Sequence, residues 1–178
     1  GSEALVGTSN FVQTCSTNKH FRYIANKAIK DKLKVEIWDK PLSEEQLASL
    51  EHITNEWIDG GRREYGFAMG FFDKNYLRAC QVAALKQNDQ VIAYINLIPQ
   101  LIDHQYSIDQ MRSVPNISSV SMHYLLMELI KHLDAKQPGY VNLGLAPLSK
   151  INQHSTLLVK RILVVAKLIG GRYYYFAG

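Results

Sequence analysis

The segments YSIDQM (106–111), SMHYLLMELIKHLDA (121–135) and GYVNLGL (139–145) decide the fold class. The middle segment repeats apolar residues at the spacing of an amphipathic helix, and the two outer segments have the length and composition of strands. A strand, a helix and a second strand in this order form a crossover, in which the helix covers one face of the sheet. The three segments therefore predict an α/β fold.

The elements around this crossover complete the predicted order. Asn88-Asp89 lies between two apolar runs and indicates a hairpin of two strands, over 82–86 and 91–98. Helices are predicted from about Thr17 to Asp31, after Ser43 with its capping-box pattern, over 73–79 and over 153–169, and further strands over 33–38 and 172–176. A hairpin combined with crossovers predicts a mixed sheet flanked by helices on both faces.

Length and composition fit one folded domain. The chain has 178 residues, of which 47% are hydrophobic and 20% are charged, and this supplies enough apolar material for a core. We expect residues 1–16 to be an N-terminal extension, with 1–2 as a tag remnant, and residues 17–178 to be the domain. Two cysteines do not make a disulfide framework, so a reducing compartment fits best. No window of about 20 residues is without charge, so no segment is expected to span a membrane.

Common catalytic motifs are missing from the sequence. It contains neither the phosphate loop of nucleotide-hydrolysing enzymes, nor the glycine fingerprint of dinucleotide-binding folds, nor the G-x-S-x-G elbow of serine hydrolases. The six histidines and two cysteines show no metal-ligand spacing, so we expect no metal. The net charge of +4 indicates an anionic partner, or a basic surface without one.

Five stretches are more specific than composition. They are KHFRY (19–23), FAMGFFD (67–73), YSIDQMR (106–112), GYVNLGLAPLS (139–149) and the aromatic run RYYYF (172–176). In this order they resemble the C-terminal cytoplasmic domain of the phosphatidylglycerol lysyltransferase family, the multiple peptide resistance factors of bacteria. The resemblance covers nearly all of the chain from about Lys19.

The resemblance implies a GNAT-like fold, the acetyltransferase type, with this chain as the second half of a tandem pair. It also implies transfer of an aminoacyl group, usually lysyl, from aminoacyl-tRNA to the head group of phosphatidylglycerol. Such a reaction alters membrane surface charge and resistance to cationic antimicrobial peptides. Full-length members carry a membrane-spanning region that flips the product lipid. We therefore expect this domain at the cytoplasmic face of the bacterial membrane, with homo-oligomerisation through that region.

The GNAT-like fold raises the question of coenzyme A. Ordinary GNAT enzymes cradle its pyrophosphate with a glycine-containing turn before the helix that follows the central strand. Here that place is SVPNISS (113–119), which has no glycine. Because the backbone approaches a pyrophosphate closely only where side chains are absent, we expect no coenzyme A and no other cofactor.

Asp109 and Arg112 are the expected catalytic residues. Asp109 would accept a proton from the acceptor hydroxyl or bind the free amino group of the donor, and Arg112 would hold a phosphate. Residues three apart on a regular strand point to opposite faces, so the two can serve one pocket only if the strand ends or bulges near Met111. A surface salt bridge or a solvated strand end is the alternative for this pair.

Further residues are expected to bind substrate. Asn142 and Ser149 would orient it, although Asn142 can equally be a hydrogen-bonded strand residue. The basic helix would hold tRNA phosphates or seat the domain on phosphatidylglycerol, unless it is a solvated face with no partner. Its candidate residues are Lys19, Arg22, Lys27 and Lys30.

Two alternative functions remain open. One is a non-catalytic module of the same fold that binds lipid or tRNA. It is motivated by two departures from the family: this chain ends at Gly178, before a Phe-Lys-x-Lys-Phe segment that usually follows, and it has His123 where Asp is common. A truncated C-terminus of this kind would leave the isolated chain inactive. The other alternative is tRNA-dependent aminoacyl transfer to a cell-wall peptide.

Overall fold

The computed structural model describes residues 2–61, 64, 71–99 and 103–146. The strands in these ranges are β1 (Ser2–Gly7), β2 (Leu33–Trp38), β3 (Gln81–Gln87), β4 (Gln90–Leu97), β5 (Gln105–Ser113) and β6 (Tyr140–Ala146). The helices are α1 (Thr8–Thr17), α2 (Lys19–Lys30), α3 (Glu44–Asp59), α4 (Lys74–Arg78) and α5 (Ser121–Lys136). The helix predicted over 153–169 and the strand predicted over 172–176 lie outside the described residues.

The strands form one mixed sheet in the order β1-β6-β5-β4-β3-β2. The pair β5–β6, which the α5 crossover joins, is parallel, and the other neighbours are antiparallel. Between β3 and β4 the two-residue turn places Asn88 and Asp89 at positive φ, 49° and 65°. Both angles belong to the turn type whose twist suits a hairpin. The predicted hairpin and the predicted mixed sheet are confirmed.

Helices cover both faces of this sheet. Along β3, Ala83 and Leu85 pack with α1, α2 and α5, whereas Val82 and Ala84 pack with α3 and α4. We call the first side of the sheet the α5 face and the second side the α3 face. Alternate residues of the strand are therefore buried on opposite sides, as the pleat requires. This arrangement confirms the expected α/β fold class, a mixed sheet flanked by helices on both faces.

Two of the helices begin where side-chain chemistry predicts. Ser43 Oγ accepts a hydrogen bond from the Gln46 backbone N–H at 3.2 Å, and Gln46 Oε1 accepts one from the Ser43 N–H at 2.8 Å. This is the reciprocal capping box that fixes the start of α3. Asp73 caps α4 by accepting a hydrogen bond from the Tyr76 N–H at 2.7 Å.

The first 30 residues differ from the sequence prediction. Residues 2–16, expected as part of an extension, form β1, which pairs with β6, and most of α1, which packs against α5. The predicted helix starts at Lys19 rather than at a Thr17 cap, because Asn18 is extended and its side chain accepts a hydrogen bond from the His20 N–H. Asn18 therefore separates two helices. Within the described ranges, no helix combines the length and the apolar character needed to cross a bilayer.

The junction between α1 and β6 leaves no room for a side chain at Gly139. The Gly139 N–H donates to Thr8 Oγ1 at 3.0 Å, and the Thr8 N–H donates back to the Gly139 carbonyl at 2.9 Å. A Cβ on Gly139 would overlap the backbone carbonyl of His104, which accepts a hydrogen bond from the Tyr140 N–H. Only glycine fits between these two connections without moving the backbone.

We predict that Gly139→Ala lowers the free energy of unfolding by about 1–3 kcal/mol, because the added methyl group forces backbone apart. Chemical denaturation of both proteins measures the difference. Gly7→Ala is the matched control, since a Cβ there meets its nearest neighbour at an ordinary 3.7 Å. The free energy of unfolding of this control variant should fall by less than about 1 kcal/mol. Equal stability of Gly139→Ala and the parent chain would contradict this account of the junction.

Candidate functional site

The pairing of β4 with β5 is irregular where Asp109 lies. In β5, Asp109 and Gln110 separate Ile108 from Met111, whereas Asn96 is the single residue between their partners in β4. Two residues opposite one define a β-bulge. The extra residue shifts the alternation of side chains by one position.

This bulge brings Asp109 and Arg112 to the same side of the sheet. Ile108 and Met111 are three apart and both pack on the α5 face. Asp109 contacts Tyr76 of α4, and Arg112 contacts α3, so both side chains lie on the α3 face. The condition derived from the sequence, a bulge near Met111, is met.

Asp109 belongs to a group of polar side chains that we call the acid cluster: Tyr76, Cys80, Asn96 and Asp109. The Tyr76 hydroxyl donates to Asp109 Oδ2 at 3.0 Å, and Asn96 Nδ2 lies 3.5 Å from the same oxygen. Asn96 is fully buried at 0% exposure, and its Oδ1 accepts a hydrogen bond from the Gln110 N–H at 2.9 Å. The amide of Asn96 thus connects the acid directly to the bulge.

Burial determines the protonation of two members of the acid cluster. It raises the pKa of the Tyr76 phenol, and the negative charge of Asp109 raises that pKa further. It also raises the pKa of the Cys80 thiol. The phenol therefore stays a hydrogen-bond donor at neutral pH, and the thiol lacks the thiolate character that a nucleophilic cysteine requires.

A chain of hydrogen bonds runs from Arg112 across the α3 face. Arg112 Nη1 donates to Thr54 Oγ1 at 3.2 Å, and Thr54 lies 3.0 Å from the Tyr94 hydroxyl. The Tyr94 hydroxyl donates to Gln110 Oε1 at 2.9 Å, and Gln110 Nε2 donates to the Phe71 carbonyl at 3.1 Å. Since Tyr94 has one hydroxyl proton, Thr54 is the donor in their contact. We call Arg112, Thr54, Tyr94 and Gln110 the polar chain.

Arg112 is buried, with 3% of its surface exposed. Its Nη1 lies 2.6 Å from Glu64 Oε1, and its guanidinium carbon lies 5.1 Å from the centre of the Trp57 ring. The same Glu64 oxygen accepts a hydrogen bond from the Phe72 N–H. The guanidinium expected to hold a phosphate is thus bound to a carboxylate and an aromatic face.

Asn142 lies on the same side of the sheet as the acid cluster. Its neighbours Val141 and Leu143 pack on the α5 face, so alternation places Asn142 on the α3 face. Its partner in the parallel pair is Ser107, two residues before Asp109. Ser149, the other residue expected to orient substrate, lies outside the described residues.

The basic residues of α2 line an open groove of about 690 Å³. Its lining consists of Lys19, Arg22, Tyr23, Asn26, Lys27 and Lys30. These residues recur at intervals of three and four and so form one stripe of a single helix. Lys27 is paired with Asp31 at 2.7 Å, whereas Lys19, Arg22 and Lys30 form no ion pair with any described residue. A groove with one helix as its wall suits an extended anionic surface better than an enclosed small molecule.

The structure separates this groove from the acid cluster. The inner side of α2, formed by Phe21, Ile24 and Ala28, packs on the α5 face of the sheet. Asp109 and Arg112 lie on the α3 face, on the other side of the sheet. The seven described residues expected from the sequence therefore do not form one pocket: Asp109, Arg112 and Asn142 lie on the α3 face, and the four basic residues line the groove on the other side.

Sequence reasoning did not identify Tyr76, Asn96, Thr54 and Glu64 as neighbours of the expected catalytic pair. Their contacts span 33 residues from Tyr76 to Asp109 and 58 residues from Thr54 to Arg112. A partial signal was available for Asn96, because amide side chains are uncommon within an apolar central strand such as INL at 95–97.

Comparison with known proteins shows the family of this chain. A family model described as "Phosphatidylglycerol lysyltransferase, C-terminal" matches residues 1–178. A phosphatidylglycerol lysyltransferase of Staphylococcus aureus strain MRSA252 is 30% identical over 166 residues, which is 91% of this chain and 19% of that protein. One from Staphylococcus haemolyticus is 30% identical over 156 residues, which is 86% of this chain and 18% of that protein. The chain thus spans about a fifth of the length of these curated relatives.

The solved structure of L-PGS from Bacillus licheniformis has a similar fold. Its TM-score with this chain is 0.75 at 26% sequence identity. The match covers 100% of this chain and 53% of the other chain. The matched region is therefore about half of that chain.

We predict that Asn96→Ala lowers the free energy of unfolding by about 1–3 kcal/mol, because it leaves the buried Gln110 N–H at the bulge without its acceptor. Thermal and chemical denaturation measure the loss. Asn26→Ala, the same change at an exposed helix position, should alter stability by about 0.5 kcal/mol or less. Equal effects of the two substitutions would show that Asn96 does not hold the bulge.

Proposed function

Because the chain belongs to the phosphatidylglycerol lysyltransferase C-terminal family, we propose that it forms part of an enzyme that transfers an aminoacyl group from aminoacyl-tRNA to phosphatidylglycerol. Lysyl is the group we expect first, from the names of the curated relatives. The observation in this chain that best supports the proposal is the bulge at Asp109. It places an acidic side chain, held by two donors, beside the polar chain that contains Arg112.

The proposed transfer is an ester exchange. The hydroxyl oxygen of the lipid glycerol forms a bond to the aminoacyl carbonyl carbon, and the bond from that carbon to the tRNA ribose oxygen breaks. The proton lost by the lipid hydroxyl ends on the ribose oxygen, so the reaction needs no oxidant, reductant or coenzyme A. Rate enhancement then comes from orientation of the two substrates, proton transfer and stabilisation of the carbonyl oxygen.

Asp109 has one of two roles in this reaction. It binds the free amino group of the aminoacyl donor, or it accepts the proton of the acceptor hydroxyl. Both roles need a carboxylate in a fixed position, and the two donors on Oδ2 supply it. Asn142, on the same face and next to β5, is proposed to orient a substrate, as is Ser149.

Arg112 is proposed to act as a buried residue that holds the site together. Its hydrogen bond to Thr54 joins the end of β5 to α3, and its ion pair joins β5 to Glu64, which also accepts a hydrogen bond from the Phe72 N–H. Because Glu64 and Thr54 both contact Nη1, a phosphate would compete with them for this nitrogen. We therefore assign Arg112 the task of fixing the walls of the site, since Glu64 already balances its positive charge.

The α2 groove is proposed to recruit an anionic substrate. Lys19, Arg22, Lys27 and Lys30 would bind tRNA phosphates or an anionic membrane rich in phosphatidylglycerol. Because the groove and Asp109 lie on opposite faces of the sheet, the groove concentrates a substrate rather than contacting the reacting atoms. Action at the cytoplasmic face of the bacterial membrane, with lower negative surface charge and resistance to cationic peptides as its result, completes the proposal.

We predict that Asp109→Asn and Arg112→Ala each reduce formation of aminoacylated phosphatidylglycerol by about 100-fold or more, because one removes a catalytic charge and the other breaks a buried ion pair. The assay measures aminoacylated lipid in extracts from cells that express the full-length protein carrying this chain. Asp103→Asn, the same change on an exposed turn, should retain activity. Unchanged lipid from both site variants would refute the assignment. Binding of tRNA or vesicles without any turnover would instead support a non-catalytic module.

We also predict that Arg22→Glu combined with Lys30→Glu weakens binding to its anionic partner by about tenfold or more, since each cation contributes about 1 kcal/mol near an anionic surface. Sedimentation with phosphatidylglycerol vesicles and filter binding of tRNA identify which partner is affected. Lys136→Glu, an exposed charge reversal on α5, is the control. If Lys136→Glu weakens binding as much as the double variant does, the effect reflects net charge and the groove has no special role.

A further inference from the structure

We infer that Tyr76 is a positioning residue for the aminoacyl transfer, because its hydroxyl fixes one oxygen of Asp109 and so presents the other oxygen to substrate. This inference rests on the proposed function and adds a residue to it. Tyr76 Oη and Asp109 Oδ2 are 3.0 Å apart. Tyr76 acts through the carboxylate and is not itself required to touch a substrate.

The position of the phenol is determined by its helix. α4 has five residues, Lys74–Arg78, and Asp73 caps it through the backbone of Tyr76 itself. Leu77, the next residue, is fully buried in the core of the α3 face. The cap and the buried leucine hold the helix against the sheet, so the phenol ring meets Asp109 at a defined place.

The second donor acts on the same carboxylate oxygen. Asn96 Nδ2 lies 3.5 Å from Asp109 Oδ2. The orientation of the Asn96 amide is set by a hydrogen bond that its Oδ1 accepts from the Gln110 N–H. Among the described residues, Asp109 Oδ1 has no hydrogen-bond donor from the protein. Two donors on one oxygen oppose rotation of the carboxylate about its χ2 angle, which leaves Oδ1 oriented for an ammonium or hydroxyl group.

The chemistry of the phenol suits this task. Burial and the charge of Asp109 raise the pKa of Tyr76, so the phenol remains a donor throughout the physiological range. A hydrogen bond from a neutral donor to a carboxylate is among the stronger protein hydrogen bonds. Loss of that donor leaves the ring packing intact but frees the carboxylate to rotate.

The test compares Tyr76→Phe with Tyr106→Phe in the full-length protein that carries this chain, assayed with lysyl-tRNA and phosphatidylglycerol vesicles. Tyr106 is a matched control: its hydroxyl also donates a hydrogen bond, to the Gln137 carbonyl at 2.9 Å, and its ring packs on the α5 face. We expect Tyr76→Phe to lower kcat about tenfold or more, with KM for both substrates changed less than about twofold. Tyr106→Phe should leave kcat and KM unchanged.

Asp109→Asn in the same assay separates this inference from the proposed function. If Asp109→Asn is inactive and Tyr76→Phe retains full kcat, the positioning role is refuted and the proposed function stands. Equal losses of kcat in Tyr76→Phe and Tyr106→Phe, with a matching fall in Tm, would show a structural effect and also refute it. Full activity of Asp109→Asn would overturn the site assignment and the inference together.

Discussion

Asn96 fills the gap that the bulge leaves in the hydrogen bonding of β4 and β5. The Asn96 Oδ1 accepts a hydrogen bond from the Gln110 N–H, and the Asn96 Nδ2 donates one to the Asp109 carboxylate. Without the extra residue in β5, alternation would place Asp109 and Arg112 on opposite faces, so one of these charged groups would face the apolar core that α5 covers. This buried amide therefore stabilises the irregular register that keeps Asp109 and Arg112 on the same face of the sheet.

Much of the architecture follows from local signals in the sequence. The capping box at Ser43, the turn at Asn88-Asp89 and the stripe of α5 each specify structure within a few residues, and the structure has them where they were expected. β1 escaped prediction because its strand character depends on pairing with β6, which lies more than 130 residues later. Asn18 escaped prediction because a single extended residue between two helices is a small interruption of a continuous helical pattern.

The site was predictable only in part, because its contacts, like the pairing of β1 with β6, join residues that are far apart in the sequence. Asp109 and Arg112 were identifiable from their sequence context, and the need for a bulge followed from strand geometry. The partners that determine what these residues can do come from other elements: Tyr76 from α4, and Thr54 and Trp57 from α3. Whether an arginine is open to solvent or enclosed by a carboxylate and a ring depends on tertiary packing, which residue spacing does not encode. The basic stripe of α2 was visible in the sequence, but its location across the sheet from Asp109 was not.

The polar chain has one direction of donation, from Arg112 through Thr54 and Tyr94 to Gln110. Each hydroxyl group in the polar chain donates its single hydrogen to the next residue. The direction of one hydrogen bond can therefore change only if the neighbouring hydrogen bonds change direction as well. The energetic effects of removing Thr54 Oγ1 and the Tyr94 hydroxyl should therefore be non-additive, and a double-mutant cycle would assign a coupling free energy to the pair. Evolutionary replacement of one member would then favour compensating change in the next, so these buried positions would vary as a set.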